Sequence, residues 1–336
     1  MTRKWLVASA LLMILLALVW LWRKEKTSIQ VNANLQAPAL SVKEPLWTAP
    51  DSNTIPRTDS GELIRYGKKL ISATAKYFGP SGSIGHNANG MNCQNCHLNA
   101  GTRVWAGNFG GVASLYPRFS DRRGSFETIN QRIKDCFERS MNGKAPDSNS
   151  LEMKAMNAYI RWVGKDVKKG KKPPGVGLEL LAFIDRPADP QNGRIVYIKK
   201  CQLCHGANGD GKPDSLAGYL YPPLWGDHSY NTSAGLYRLS KFAGFIKDNM
   251  PFGSSYINEQ LSNEEAWDIA AFVNSQPRTV KKFKQDWPNI LLKPVDLPDG
   301  PFPDSYPSIQ HKYGPFTPIA RYKKEIAENS KKNKSL

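Results

Sequence analysis

Two short stretches of the chain place a pair of cysteines three positions apart, with a histidine directly after the second. They are "CQNCH" at 93 to 97 and "CQLCH" at 201 to 205. Thiols at this spacing reach the two vinyl groups of one porphyrin, and the imidazole that follows then lies under the iron. Cys93, Cys96 and His97 therefore read as one haem c attachment site, and Cys201, Cys204 and His205 as a second. A redox dithiol, a zinc site or a disulfide competes for a single such motif. Two copies, each with its histidine and each after a helical run, argue against all three. A fifth cysteine, Cys136, belongs to neither motif.

Each iron then needs a sixth ligand. Met250 stands 45 residues beyond His205, in "NMPFG", just before a proline turn. It is the expected ligand of the second iron, ahead of Lys247 and His228. For the first iron the candidates are Cys136, Met141, His86, Met153 and Met156. Met141 is 44 residues beyond His97 and Cys136 is 39, so spacing favours the methionine, with Cys136 left as a small buried hydrophobe. Three points favour the cysteine. An unpaired thiol in an oxidising compartment is a liability unless used. Arg132, Lys134, Arg139 and Lys144 lie near it in sequence and favour thiolate. Ferric iron holds a thiolate firmly. On the residues alone, Cys136 and Met141 stand level.

The elements that must position these groups are mostly helical. "GELIRYGKKLISATAKYF", 61 to 78, is amphipathic and stops at Gly79-Pro80. "SFETINQRIKDCFERSM" reads as a helix from Ser125 to Met141, with Phe126, Ile129, Ile133, Cys136 and Phe137 at helical spacing. "SLEMKAMNAYIRWVGKDV" is another. The plan then repeats about 108 residues on. A short helix, 192 to 200, enters "CQLCH". A Gly/Pro loop follows, and "LSNEEAWDIAAFVNSQ" opens with Ser262 and Glu265 in capping-box spacing. Strand signals are few.

The chain has 336 residues and a formal charge of +17. That length suits two domains. The charge suits an anionic substrate, a membrane surface or an acidic partner. It does not suit nucleic acid, since no recognition motif accompanies it and most lysine clusters lie in linkers and tails. Arg3 and Lys4 precede the apolar run "WLVASALLMILLALVWLW", 5 to 22, which has Trp at both ends. It is long enough to span a bilayer. An uncleaved anchor is preferred to a removed signal, although "VNA" at 31 to 33 offers a distant cleavage site. The expected layout is a mainly α chain of two tandem haem domains after an N-terminal transmembrane anchor. The anchor or signal is 1–22 and a tether 23–56. The first haem domain is 57–170, a linker 171–190 and the second haem domain 191–280. An irregular wrapping segment with a disordered basic tail fills 281–336. The bulk is expected on the periplasmic side of a bacterial inner membrane, or free in the periplasm if the signal is cleaved.

"GRIVYIKKCQLCHGANGDG" and "LSNEEAWDIAAFVNSQ" resemble the first and last helices of the cytochrome c family. "INQRIKDCFERSMNGK", preceded by "WAGNFGGVASLYPRFSDRRGSFETI", resembles the diagnostic block of the dihaem thiosulfate dehydrogenases. That second likeness runs from about 60 to 280. It implies that Cys136, rather than Met141, is the distal ligand of an active-site haem. It also implies that Arg122 and Arg132 bind substrate, with Arg123 a rival for Arg122, and that Ser140 orients it. Where some members have a lysine just before the second methionine ligand, this chain has Asn249, which implies a fixed His205–Met250 pair.

The implied reaction joins two thiosulfates into tetrathionate, reversibly, with release of two electrons to a cytochrome or a membrane redox complex. In it Cys136 attacks or carries substrate sulfur, and the second haem relays electrons. A non-catalytic electron-transfer cytochrome and a sulfur-carrier cytochrome with a Cys-ligated haem are the competing readings. A dihaem peroxidase fits less well.

Overall fold

The structure is a computed structural model that describes residues 45–214 and 218–332, with side chains of the last helix described to residue 329. The anchor expected at 1–22 lies outside the described residues. Among the described residues no helix is long and apolar enough to cross a membrane.

Residues 45 onward form one compact unit with two hydrophobic cores. The first core is built on helices α1 (Asp59–Ser72), α2 (Thr74–Phe78), α3 (Ile129–Asp135) and α4 (Leu151–Val163). Thr58 caps α1, and acids in its first turn with Lys69 in its last complement the helix dipole. The second core is built on α5 (Pro190–Lys200), α6 (Leu239–Asn249) and α7 (Asn263–Ser275). The Ser262–Glu265 capping box of α7 forms as its spacing predicts.

The internal repeat is a repeat of one helix crossing. Gly67 of α1 lies against the Ala155 carbonyl and Tyr159 Cβ of α4. Gly193 of α5 lies against the Asp268 carbonyl and Phe272 Cβ of α7. In both, a Cβ would sit about 2 Å from a carbonyl oxygen, so only glycine permits the approach. The same crossing, one turn long on the partner helix, therefore seats each Cys-x-x-Cys-His segment.

Two antiparallel hairpins are added. Strand β1 (Arg118–Ser120) pairs with β2 (Ser125–Glu127), and β3 (Lys212–Asp214) with β4 (Gly218–Tyr221). The first hairpin corrects the helix expected from Ser125. Ser125–Glu127 is extended, and α3 begins only after Thr128, whose side chain and Gln131 form a capping box.

Three further expectations change. Part of the expected tether is core: Trp47 and Ile55 are buried in the first domain, and the Trp47 N–H donates to the Pro174 carbonyl at 2.9 Å. The expected linker is packed, with Val176 buried in the first core and Ala188 in the second. The C-terminal stretch is largely irregular to residue 307, as expected, and then turns helical. It forms α8 (Ser308–Tyr313) and α9 (Thr317–Lys332), and Phe316 and Ile319 enter the second core. Ile319, Tyr322 and Ile326 recur at helical spacing among the lysines, which is the amphipathic signal that the charge obscured. Residues 333–336 lie outside the described residues.

Candidate functional site

Each attachment motif opens onto its own cavity. Cys93, Cys96 and His97 line the first, with about 850 Å³ of open space. Cys201, Cys204 and His205 line the second, with about 1800 Å³. In each the histidine is oriented from behind. His97 Nδ1 donates to the Gly107 carbonyl, and His205 Nδ1 to the Pro222 carbonyl at 2.9 Å. That fixes the tautomer and leaves Nε2 unprotonated, with its lone pair free to ligate. Burial lowers both imidazole pKa values, which keeps them neutral and able to ligate.

The rival metal reading fails on geometry. Among the described residues the only compact group of three or more possible metal donors is Glu179, Asp248 and Glu259. Neither Cys-x-x-Cys-His set converges on a point as a zinc site must. No cysteine is in a disulfide. Apolar walls, a preset histidine and two thiols facing one cavity fit haem c.

The distal candidates differ in where they lie. Met250 lines the second cavity. Lys247 is engaged elsewhere, donating to the Leu261 carbonyl and paired with Glu259, both at 2.5 Å, and His228 is exposed. Around the first cavity Cys136, Met141, Ser140 and Arg132 are all lining residues. His86 is exposed, and Met153 and Met156 are fully buried in the first core.

Cys136 begins a π-helical turn, Cys136–Ser140, that continues α3 and closes with the Met141 N–H donating to the Cys136 carbonyl at 3.0 Å. This wide turn sets Cys136, Ser140 and Met141 along one wall, an arrangement common at functional sites.

The electrostatics refine the sequence reading of a uniformly positive field. Burial pushes the Cys136 thiol up, Arg132 pulls it down, and Asp135 and Glu127 add to the rise. Arg139 is the smallest of these influences, also pulling the thiol down, and its guanidinium is gripped by Asp286 at 2.6 and 2.8 Å. Arg132 carries the interaction: Cys136 is the chief cause raising its pKa.

Arg122 and Arg123, the rivals of the sequence reading, differ in their partners. Arg123 is tied to Asp135 at 2.5 Å and Glu127 at 3.5 Å. Arg122 does not line the cavity. It donates to the Ser233 carbonyl at 2.9 Å and faces the Trp287 ring at 5.3 Å. Burial, then Arg139, push it down to about 10.

Sequence reasoning missed Lys241 of α6, whose ammonium burial pushes down to about 7, with Arg238, Arg132 and Arg122 adding to the shift and Asp296 opposing it. It missed Asp286 as well. Both come from the far half of the chain, and no local pattern marks them.

The two cavities adjoin. Met91, Asn92 and Cys96 line both, so the first attachment segment is a shared wall. Hydrogen bonds cross between the halves on either side of it. Asn89 donates to the Ser229 carbonyl at 2.9 Å and Asn249 to the Trp105 carbonyl at 3.2 Å.

Comparison with known proteins agrees with this architecture. Residues 85–168 match the family model described as SoxA/TsdA, cytochrome c domain, and residues 190–277 match cytochrome c. The thiosulfate dehydrogenase of Psychrobacter arcticus is 39% identical over 249 residues, which is 73% of this chain and 73% of that protein. That of Allochromatium vinosum is 39% identical over 235 residues, 69% of this chain and 84% of that protein. The chain belongs to the thiosulfate dehydrogenase family. Among solved structures, the thiosulfate dehydrogenase TsdBA of Marichromatium purpuratum is similar with a TM-score of 0.63 and 32% identity. The match covers 68% of this chain and 49% of that one. As a thiosulfate dehydrogenase family member the chain is a c-type cytochrome oxidoreductase with two covalently bound haem c groups.

Proposed function

We propose that the chain interconverts two thiosulfates and tetrathionate plus two electrons at the first cavity and passes the electrons through the second. The carrying observation is that Cys136, Ser140 and Arg132 line one cavity with Cys93, Cys96 and His97. Each bound haem c supplies one-electron redox capacity. His97 and Cys136 are the ligands we assign to the first iron, and His205 and Met250 to the second.

The side chains answer the main physical obstacle, which is that two dianions must meet. Arg132 faces the cavity as a cation and offers a planar fork to sulfonate oxygens. Arg122 and Lys241 extend the positive field behind it, and Ser140 offers a hydroxyl to orient an oxygen. Cys136 presents sulfur to substrate sulfur. The joining step consumes no proton, so the site needs cations and a sulfur ligand rather than a general base. The shared wall at residues 91 to 96 supports direct passage between the two redox centres. We further place the chain on the periplasmic side of the inner membrane, held by the 5–22 segment, with a cytochrome or membrane redox complex as electron partner. The strongly basic surface supports an acidic docking partner.

A paired assay tests the reading. Oxidised protein is mixed with thiosulfate and reduced protein with tetrathionate, each followed by haem absorbance. Reduction in the first and oxidation in the second are expected. Silence in both arms leaves an electron-relay cytochrome in its place.

A further inference from the structure

Beyond residue 277, where the second matched domain ends, the chain returns to the first haem domain. It then runs along the turn that carries Cys136. Thr279 Oγ1 accepts from Asn142 at 3.0 Å, and Lys281 Nζ donates to the Glu138 carbonyl at 3.3 Å. The Phe283 ring lies 3.9 Å from the Arg139 guanidinium. Asp286 accepts both Arg139 Nη1 and Nη2, and the Trp287 N–H donates to the Arg122 carbonyl at 2.7 Å.

The turn needs this support. A helix end leaves its last carbonyls without partners. Here the Glu138 and Arg139 carbonyls are taken by Asn231 of the second domain, at 2.9 and 3.1 Å, with Lys281 also on Glu138. Arg139 is only 3% exposed and pairs with Asp135 at 3.4 Å within the turn. Without Asp286 its buried charge would lack its bidentate acceptor, and the turn would lose the one contact that fixes its outer side through two parallel bonds.

We propose that Asp286 is a positioning residue of the first haem site: through Arg139 it holds the π-turn that presents Cys136 and Ser140 to the cavity. The strap from 279 to 287 is thus part of that site, although it follows the second domain in sequence. The kinetic part of this inference rests on the thiosulfate reading above, and the structural part does not.

The test uses the full-length holoprotein and Asp286→Asn, with the second haem as internal control. Expected are a changed ferric spectrum of the first haem, an unchanged second haem, and faster amide hydrogen exchange over residues 136 to 143 than in the native protein. Turnover should fall roughly 10- to 100-fold, the range for slight misplacement of reacting groups, with KM little altered. Asp286→Glu should recover part of each change. Native exchange and a native first-haem spectrum in a folded Asp286→Asn protein would overturn the proposal. If Asp286→Asn does not accumulate, Arg139→Lys keeps the charge but loses the fork, and the same pair of outcomes decides. A shifted spectrum in a protein whose native form ignores thiosulfate would sink the functional reading and leave the strap standing.

Discussion

The two haem sites share a helix crossing, a motif and a histidine held by a backbone carbonyl, yet their distal walls differ in kind. At the second site Met250 follows α6 directly, in extended backbone that any chain adopts. At the first site the distal wall is a π-turn, ringed by Arg132, Arg139, Asp135 and Glu127 and braced by a strap from the far end of the chain. The methionine wall is cheap to build and suits a site that only exchanges electrons. The cysteine wall needs buried charge, which costs stability, and an external clamp that offsets part of that cost. A site that carries such costs is the one expected to handle substrate.

The sharpest way to break this contrast is to give the first site the residue type proposed as the second iron's ligand. Cys136→Met should lower thiosulfate turnover by roughly 10³-fold or more, the scale seen when a nucleophile is removed. It should also change the first haem's spectrum and leave the second haem's untouched. Native turnover with a native spectrum would make the two walls equivalent. Met141→Leu is the matched control. It should cost less than about 1.5 kcal/mol of stability and leave turnover near native.

Next come the arginines. Arg132→Ala should reduce kcat/KM roughly 10- to 100-fold, since charge-assisted hydrogen bonds contribute about 1.5–3 kcal/mol. Arg122→Ala should reduce it less, because Arg122 already spends a donor on the Ser233 carbonyl and lies outside the cavity lining. The reverse ranking, read from initial rates, would move the anion site toward Arg122. At the other site, Met250→His should lower the potential of the second haem, measured by spectropotentiometry. It should slow steady-state turnover while leaving the first haem's response to thiosulfate in place.

The shared part of the two sites can be tested with smaller changes. Gly67→Ala and Gly193→Ala each push a methyl group into a backbone carbonyl, and overpacking of this kind costs about 1–3 kcal/mol. Similar losses in chemical denaturation would support equivalent crossings. A loss confined to one glycine would show that only one crossing bears the load.

What the sequence made legible follows the range of the interactions. The α7 capping box and the break after Phe78 are written within a few residues and form as read, and the two Cys-x-x-Cys-His motifs, equally local, each line a cavity. Cys136 stood out by counting, and Met250 by its place before a proline. The rest depends on partners far along the chain. A π-turn has no local signature in "DCFERS". Arg139 looked like a source of positive field at Cys136 until Asp286, 147 residues away, was seen to hold it. Arg122 and Arg123 are adjacent in sequence and differ only in which distant groups they meet. The C-terminal helix was missed because its lysines read as a tail, while two apolar residues, Phe316 and Ile319, decide its place in the second core.

The smallest expected effect concerns Lys241, the cation that the second domain sets near Arg122 and Arg132. Its folded pKa is about 7, against 10.5 for a free lysine, with burial first and Arg238, Arg132 and Arg122 next as causes and Asp296 opposing. A depressed lysine makes the native state bind fewer protons than the unfolded state between those values, so stability should rise with pH from about 7 to 10.5. Below pH 7 the full penalty of the buried ammonium is present. Lys241→Met should therefore raise stability most at pH 6 and least near pH 10, flattening the native pH profile in chemical denaturation. Sulfate, a dianion like the substrate, should stabilise the native protein at pH 6 more than the variant, because it gives the ammonium a partner. An equal sulfate effect in both proteins would place Lys241 outside the anion site and confine the cationic lining to the first domain.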